Sequence, residues 1–282
     1  MQYCSPSRRK FGANRCRQHV LRLFAFVLFV IVALSARASA AQPCPNPDAL
    51  GTSRVLEVGA ATTPRVGRKQ FPQTLPLRAK ELVLTFDDGP IAGTTPRILD
   101  ALKAECVRAT FFLIGRNSHD HPSLVRRELA DGHTVAHHTY SHRLLNRVPR
   151  VVADSEIDRG IEEDEFALYG RRRSQPTTPF FRFPGFASTP ALLDELQQRH
   201  IVVFGADVWA SDWNEMDPQY ELALILRRVE AVGRGIVLFH DSKARTARML
   251  PAFLRELKRR GFHIVHVVPA GSQSESRNPS AK

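Results

Sequence analysis

Two adjacent carboxylates, Asp87 and Asp88, follow the apolar run of residues 82–86 and stand directly before Gly89 and Pro90. Because an apolar run is typical of a buried strand and Gly-Pro of a turn, the pair is predicted to lie where a strand meets a turn. Two neighbouring negative charges repel each other, so a divalent metal could bind one carboxylate while the other acts as a base. The alternative is an ordinary Asp-rich turn, since Asp, Gly and Pro are common loop residues.

Further along the chain, His138 and His142 have the spacing of metal ligands. Residues at i and i+4 share a face if the segment forms a helical turn. Two histidines and one aspartate leave coordination positions open for water, as a hydrolytic metal site requires. We interpret the nearby His133 and His137 as unrelated to this pair.

Five segments, in order along the chain, resemble the motifs of the polysaccharide deacetylases (carbohydrate esterase family 4, the nodulation-protein deacetylase homology domain). They are Thr85-Phe86-Asp87-Asp88-Gly89-Pro90, His138-Thr139-Tyr140-Ser141-His142, Arg182-Phe183-Pro184-Gly185, Asp212-Trp213 and Leu238-Phe239-His240-Asp241. The resemblance covers roughly residues 80–270. It implies an α/β fold, a distorted (β/α) barrel with about seven strands in a single catalytic domain.

The resemblance implies a divalent metal held by Asp88, His138 and His142, with Asp87 as the general base that takes a proton from the attacking water. The chemistry agrees, because two neutral imidazoles and one carboxylate leave a bound dication with net positive charge. Zinc suits these ligands best, and cobalt, manganese or nickel could also occupy the site.

Three further residues take catalytic roles by the same resemblance: Arg182, His240 and Asp212. Arg182 would pair with Asp87, fix its position and keep its pKa low. His240 would protonate the leaving amine, and Asp212 would orient this histidine and raise its pKa. Without the motifs, Arg182 would be interpreted as a strand-edge surface residue and His240 as a histidine at a strand end.

Substrate contacts are implied for Gly185, Trp213, Leu238 and Trp209. Where the family usually has a tyrosine, this chain has Gly185 followed by Phe186. The backbone N–H at this position can still donate to an oxyanion. Trp213 and Leu238 match apolar walls for the acetyl methyl, although both could be ordinary core residues. Trp209 could stack on a sugar at the cleft rim or be buried under a loop.

Apolar runs alternate with helical patterns from residue 81 onward, which predicts βα units and a parallel sheet. The predicted strands are residues 82–86, 109–114, 133–136, 180–183, 201–206, 235–239 and 263–268. The predicted helices are residues 95–105, 122–131, 151–167, 190–199, 220–232 and 249–260. This alternation fits an open sheet or a barrel, and a barrel is favoured because each motif ends a different strand.

The N-terminus carries basic residues, an apolar run over residues 23–34 and Ala38-Ser39-Ala40, a small-x-small signal. We predict a cleaved secretory signal over residues 1–40, with an uncleaved anchor as the alternative and the Sec or twin-arginine route left open. Residues 41–80 are predicted to form an extended segment without sustained periodicity, residues 81–270 the catalytic domain and residues 271–282 a polar tail.

Removal of residues 1–40 takes away seven Lys and Arg, and the net charge falls from +12 to +5. The remaining tight basic cluster, residues 171–173, is interpreted as a solvated loop or as a contact for an anionic polymer, and not as a nucleic-acid footprint. Cys44 and Cys106 are then the remaining cysteines, and they are predicted either to form one disulfide or to be two unrelated thiols.

The function that follows is a metal-dependent hydrolase that removes N-acetyl groups from an amino-sugar polymer such as peptidoglycan, a chitin-type oligomer or an exopolysaccharide. The alternatives are an O-acetyl esterase and a non-catalytic polysaccharide-binding protein of the same fold. We expect export to the periplasm or the extracellular space, no stable membrane span after signal cleavage, no nucleic-acid partner and a monomer.

Overall fold

The computed structural model describes Cys44 and residues 46–271. The predicted signal, residues 1–40, lies outside the described residues, and so does the predicted polar tail beyond Gly271. Over the described part of the chain, no helix is both long enough and apolar enough to span a membrane.

Ten strands, all paired in parallel, form one sheet within the described residues. They are β1 (Thr52–Val58), β2 (Arg65–Val66), β3 (Glu81–Asp87), β4 (Thr110–Leu113), β5 (Thr134–His137), β6 (Phe180–Phe181), β7 (Val202–Phe204), β8 (Val208–Trp209), β9 (Gly235–His240) and β10 (His263–Pro269).

Seven of these strands, in the order β8-β9-β3-β4-β5-β6-β7, form one continuous run of paired neighbours. Side chains from across this run, among them Val83, Phe112, Phe180 and Ile236, meet in a single buried cluster. A flat sheet could not bring distant strands together in this way, so the run curves into a distorted barrel. The predicted fold class, with about seven barrel strands, is confirmed.

The strands outside this run differ from the sequence prediction. The predicted strand at residues 263–268 is present as β10, but it pairs with only the first two residues of β3 and lies outside the barrel run. The neighbour of β3 in the run is β9, and the short strand β8, which was not predicted, pairs with β9. β1 and β2, which pair with β10 and β7, fall within residues 41–80, where no strand was predicted. Charged residues in β1 and the two-residue lengths of β2 and β8 explain why hydrophobic periodicity missed them.

Alternation along β3 separates its two faces. Leu82, Leu84 and Phe86 pack in the cluster that the helices cover, whereas Val83 packs in the barrel cluster. Because side chains alternate along a strand, Asp87 continues the barrel-facing row. Burial on both faces also explains why the run reads as continuously apolar.

Seven α-helices lie among the described residues. They are α1 (Thr95–Ala104), α2 (Gly115–Asp120), α3 (Pro122–Ala130), α4 (Arg150–Tyr169), α5 (Pro190–Gln198), α6 (Pro218–Val232) and α7 (Ala244–Arg259). The six predicted helices are all present. The prediction placed the start of α7 at residue 249 instead of Ala244, because the first turns of this helix are basic and partly exposed and so lack a continuous apolar pattern. The short polar helix α2 was not predicted, since its sequence lacks an apolar face.

A disulfide joins Cys44 to Cys106, with 5.8 Å between the two Cα atoms. Of the two alternatives from the sequence, the structure therefore shows the bridge. Cys106 follows the end of α1, so the bond fixes the N-terminal segment to the first helix of the barrel.

Candidate active site

Four polar side chains enter the barrel from the C-terminal ends of four different strands: Asp87, His138, Arg182 and His240. Each of them continues a row of barrel-facing residues. His138 follows Ala136, Arg182 follows Phe180 and His240 follows Ile236 and Leu238 at steps of two, and Ala136, Phe180 and Ile236 pack in the barrel cluster. The period of the strands thus gathers the residues that the sequence motifs single out.

Arg182 lies fully buried against Asp87. Its guanidinium donates to Asp87 Oδ1 over 2.7 Å, to Thr85 Oγ1 over 2.9 Å and to the carbonyl oxygen of Gly205 over 2.9 Å. The alternative interpretation of Arg182 as a surface residue is therefore wrong.

The expectation that Arg182 keeps the pKa of Asp87 low is also wrong. Burial raises the pKa of this carboxyl above its ordinary value, and the charge and hydrogen bond of Arg182 offset only part of that effect. The reason is that a carboxylate removed from water loses more solvation than one ion pair restores. Arg182 nevertheless occupies Oδ1, which leaves Oδ2 to face the histidine cluster.

Asp88, His138 and His142 form a cluster whose ligand atoms all lie within 4.8 Å of one another. His142 Nε2 lies 3.2 Å from Asp88 Oδ1, and His138 Nε2 lies 3.6 Å from the same oxygen. The second oxygen, Asp88 Oδ2, accepts a long hydrogen bond of 3.4 Å from Ser242. The residues predicted to hold a metal are thus brought together.

The chemistry of this cluster fits a divalent cation. The Nδ1 of His138 lies 2.7 Å from the carbonyl oxygen of Arg182, so Nδ1 must carry the proton and Nε2 presents a lone pair. Burial lowers the pKa of His138 to about 3, so its imidazole is neutral. Asp88 Oδ1 is buried without a hydrogen-bond partner. A lone pair facing an unpartnered carboxylate oxygen fits a cation between them, and a carbonyl on Nδ1 is the usual support of a metal-binding histidine.

The two histidines do not share a helical face, which corrects the expectation from their spacing. Residues 138–142 form an irregular loop, in which Thr139 and His142 have positive φ angles of 66° and 63°. Glu156 of α4 holds the loop, because its carboxylate accepts from both the backbone N–H and the hydroxyl of Ser141, over 2.8 and 2.7 Å. The i, i+4 spacing therefore reflects a clamped loop.

Gly160, one turn after Glu156 on α4, lets the helix approach this loop. A Cβ at Gly160 would lie 2.6 Å from the carbonyl carbon of Thr139 and 2.9 Å from the backbone nitrogen of Tyr140. These are backbone atoms, so no side chain could move aside to make room. A residue without a side chain is required here.

The turn that carries Asp88 rests on Asp241, to which the sequence analysis assigned no role. A Cβ at Gly89 would lie 2.0 Å from Asp241 Oδ2, and this oxygen accepts a 2.6 Å hydrogen bond from Thr95. Burial raises the pKa of Asp241 to about 7. Its position directly after His240 in the fifth motif is the feature of the sequence that could have indicated a role for Asp241.

His240 pairs with Asp212. The Nδ1 and the backbone N–H of His240 each lie 2.7 Å from one of the two oxygens of Asp212. Burial alone would lower the pKa of His240, but the hydrogen bond and charge of Asp212, assisted by Asp87 and Asp88, outweigh it and raise the pKa to about 9. The imidazolium is therefore the stable form at neutral pH, as an acid requires.

An aromatic wall extends from His240. The ring of Trp213 lies edge-on to His240 at 5.8 Å, Trp209 lies 5.9 Å from Trp213, and Phe186 stacks on Trp209 at 6.2 Å. Lys69 places Nζ 4.7 Å from the centre of the Trp209 ring. This wall consists of Phe186, Trp209 and Trp213.

The predicted substrate-contacting residues differ in exposure. Trp213 is 46% exposed, so the alternative that it is a core residue is wrong. Trp209 is only partly covered, whereas Leu238 is buried beside it in the β8–β9 pair. Gly185 is exposed, at a φ of 55°, in the turn that also carries Phe186.

His137 faces away from the barrel, toward the helices. Its Nδ1 lies 2.7 Å from Asp164 Oδ2 of α4, and Ser118 donates to the other oxygen of Asp164. His133 contacts the backbone N–H of Ala109. Neither belongs to the metal-type cluster among the described residues, in agreement with the sequence interpretation.

A curved parallel barrel with an Asp-Asp pair, two clustered histidines and a separate His–Asp pair at its carboxyl end defines a hydrolase-type site. The family model for polysaccharide deacetylase matches residues 75–203. A chitooligosaccharide deacetylase of Bradyrhizobium is 30% identical over a match of 209 residues, and the match covers 67% of this chain and 90% of the relative. The chain therefore belongs to the polysaccharide deacetylase family, carbohydrate esterase family 4.

Two other relatives extend the comparison. A peptidoglycan-N-acetylglucosamine deacetylase of Listeria monocytogenes is 32% identical over 191 residues, which are 67% of this chain but only 38% of that protein. A solved peptidoglycan deacetylase of Bdellovibrio bacteriovorus has 27% identity and a TM-score of 0.70, over 96% of this chain and 75% of that one. The chain thus spans well under half of the length of the Listeria protein.

Proposed function

We propose that this protein is an exported, metal-dependent hydrolase that removes N-acetyl groups from an amino-sugar polysaccharide. The observation that carries the proposal is that two titratable groups beside the metal-type cluster are held by partners of opposite charge. Asp87 is tied to the guanidinium of Arg182, and His240 is tied to the carboxylate of Asp212. A base and an acid held in this way are what amide hydrolysis needs.

Asp88, His138 and His142 would hold the metal. Zinc is the best match to two imidazoles and one carboxylate, with cobalt, manganese or nickel as alternatives. When bound, the metal would polarise the acetyl carbonyl and make water more acidic.

Asp87 acts as the base in this proposal. Its Oδ1 is occupied by Arg182, so Oδ2 is the atom that receives the proton of the attacking water. Burial raises the pKa of Asp87 and so makes the carboxylate a stronger base than an exposed one. Arg182 fixes the direction of the carboxyl group through the Thr85 and Gly205 contacts that hold its own guanidinium.

His240 acts as the acid. Asp212 occupies Nδ1, so the proton on Nε2 is the one delivered to the nitrogen of the departing amino sugar. An amine must be protonated as it leaves, because its anion is a very poor leaving group. The same pair is less important for an ester, which keeps an O-acetyl esterase as the alternative activity.

The aromatic wall is proposed to receive the sugar rings. Partly exposed aromatic faces next to an acid offer apolar contact to the C–H faces of a sugar. Trp213 lies against His240 and would line the position of the acetyl methyl together with the buried Leu238, while Trp209 would stack on a neighbouring sugar. The backbone N–H of Gly185, which is an exposed residue, would donate to the oxyanion.

Export and the single catalytic domain are part of the proposal. A disulfide is typical of oxidising compartments outside the cytoplasm, and the N-terminal sequence has the pattern of a secretory signal. A periplasmic or extracellular location would bring the protein to an envelope polymer. Peptidoglycan or exopolysaccharide is favoured for that reason, and relatives of both the peptidoglycan and the chitooligosaccharide type support an acetylated amino sugar as substrate.

The test is release of acetate from N-acetylglucosamine oligomers and from peptidoglycan. We expect release to stop on chelation and to return with zinc or cobalt. Acetate released only from O-acetylated polymers would favour the esterase. Binding of the oligomers without any acetate release would favour the non-catalytic alternative.

A further inference from the structure

The His240–Asp212 pair is backed by a hydroxyl and a second carboxyl that the sequence analysis did not single out. Thr246, in the first turn of α7, places Oγ1 2.8 Å from Asp212 Oδ2 and 3.2 Å from Glu221 Oε1. Asp212, Thr246 and Glu221 are all fully buried. Glu221 belongs to α6, so two helices and the loop after β8 meet at this hydroxyl.

One hydroxyl proton has to serve two carboxyl groups in this arrangement. Thr246 can donate to only one of them, so the other contact needs a proton on the carboxyl itself. Asp212 must remain an acceptor, because its two oxygens already accept from Nδ1 and from the backbone N–H of His240. The proton therefore belongs on Glu221, which donates to Thr246 while Thr246 donates to Asp212.

The surroundings of Glu221 agree with a protonated carboxyl. Burial and the charge of Asp212 raise the pKa of Glu221 to about 7, against the smaller opposing effects of Thr246, Arg245 and His240. Of the groups that face Glu221, Asp212 lies in the loop after β8, Thr246 and Arg245 lie on α7, and His240 lies at the end of β9. In addition, Glu221 Oε2 is buried without a hydrogen-bond partner, which is far more costly for an ionised oxygen than for a neutral one.

We propose that Glu221 is a positioning residue, a neutral carboxylic acid that donates to Thr246 and thereby holds Asp212 as the acceptor of His240. The inference rests on the proposed function, because it concerns the group that would protonate the leaving amine. When Glu221 loses its proton, two carboxylates face one hydroxyl and repel each other. Amide cleavage then weakens at a pH below that at which His240 itself is deprotonated.

The decisive variant is Glu221→Gln, because a glutamine amide donates to Thr246 as the protonated carboxyl does but cannot ionise. We expect Glu221→Gln to match the unaltered protein at pH 6 on an N-acetylglucosamine oligomer. Between pH 7 and 8, where the unaltered protein declines, the variant should keep its activity and fall only as His240 itself loses its proton near pH 9. The matched control is Glu230→Gln on the same helix, whose carboxylate is partly exposed and pairs with Arg260. A loss of amide cleavage by Glu221→Gln at pH 6 would show that a neutral hydrogen-bond donor at this position is not sufficient and would overturn the proposal.

A second variant, Thr246→Val, removes the hydroxyl and keeps the shape of the side chain. We expect it to lower amide cleavage by roughly tenfold, a fraction of the 10²–10⁴ attributed to a whole general acid, and to leave aryl acetate cleavage nearly unchanged. Thr246→Ser should restore the hydroxyl and the activity. Equal activity of the Val and Ser variants would remove Thr246 from the argument and overturn the proposal.

A direct measurement does not depend on activity. In the zinc-loaded protein, the imidazole resonances of His240 should shift in two steps with pH, near 7 for Glu221 and near 9 for His240 itself. Glu221→Gln should remove the lower step. Asp241 also has a pKa raised to about 7, so an unchanged lower step in Glu221→Gln would assign it to Asp241 and refute the proposal. If no form of the protein releases acetate, the proposed function fails, and this titration still decides where the proton lies.

Discussion

His138 and His240 stand at the carboxyl ends of two strands of the same barrel, yet they are set for opposite chemistry. Burial acts to lower the pKa of both rings. At His138 this effect prevails, so the ring is neutral with a pKa of about 3. His240 instead has a pKa of about 9 because Asp212 accepts from its Nδ1. A neutral carbonyl on Nδ1 leaves the Nε2 lone pair of His138 available to a metal, whereas a carboxylate on the same atom keeps His240 protonated, as an acid would need to be.

The comparison teaches that burial keeps an imidazole neutral unless a carboxylate on its remote nitrogen outweighs the effect of burial. It also divides the site into two halves. The metal half, Asp88, His138 and His142, should be needed for every substrate. The acid half, His240 and Asp212, should be needed only where the leaving group requires a proton.

The largest effect is expected from the metal half. His138→Ala should remove most of the bound metal and lower cleavage of amides and activated esters alike, because several kcal/mol of transition-state stabilisation correspond to on the order of 10³-fold in rate. Metal analysis of the purified protein measures the first effect. His119→Ala, which changes an exposed histidine, is the control. Unchanged metal content in His138→Ala would refute the assignment.

Next in size is Asp87→Asn, which keeps the ligands and removes the base. The metal content should stay at the level of the unaltered protein while turnover falls by on the order of 10²–10⁴. Metal analysis and acetate release from the same preparation separate the two quantities. Near-normal deacetylation by this variant would mean that another group takes the proton.

The acid half gives a selective effect. His240→Ala should lower cleavage of an N-acetylglucosamine oligomer by on the order of 10²–10⁴ and affect an aryl acetate much less, since a phenolate leaves without a proton. Asp212→Ala should show the same bias more weakly. Rates on both substrates at one pH are sufficient for the measurement. Equal losses on the two substrates would instead point to a role in binding or in positioning of the metal.

The smallest effect is a displacement of the pH profile. The pKa of His240 is raised, so the imidazolium is present below about pH 9 and the final fall in amide cleavage should follow as pH rises through that value. Asp212→Ala removes the group that raises this pKa, so the fall should move toward lower pH. The pH dependence of kcat/KM on the oligomer, measured for the unaltered protein and for Asp212→Ala, gives the pH of the fall in each. A fall at the same pH in both proteins would contradict the assigned pairing.

The sequence predicted the parts of this site that a strand carries. Asp87, Arg182 and His240 lie at the ends of apolar runs, so alternation alone turns them into the barrel. It did not predict the conformation of the His138–His142 segment, because a loop held by a distant helix carries no local periodicity. The i, i+4 pattern singled out two histidines that do lie together with Asp88, but a clamped loop and not a shared helical face brings them there.

The supporting residues Glu221, Thr246 and Asp241 escaped sequence reasoning for a related cause. Each is polar, buried and remote in sequence from the group that it supports. Packing between elements decides such contacts, and polar residues on helices or in turns are ordinarily interpreted as solvent-facing. The short strands β2 and β8 were missed because two residues cannot display a period.

The close approach of Gly160 to the Thr139–Tyr140 peptide makes a residue without chemistry part of the metal half. A methyl group there would have to push the loop that carries His138 and His142, so Gly160→Ala should cost metal affinity while leaving the acid half intact. A random screen for inactive variants should therefore find substitutions in the middle of α4, a segment that contains none of the proposed metal ligands. Adding excess zinc should rescue those variants and should not rescue losses at His240, which makes metal supplementation a means of sorting inactive variants by the half of the site that they damage.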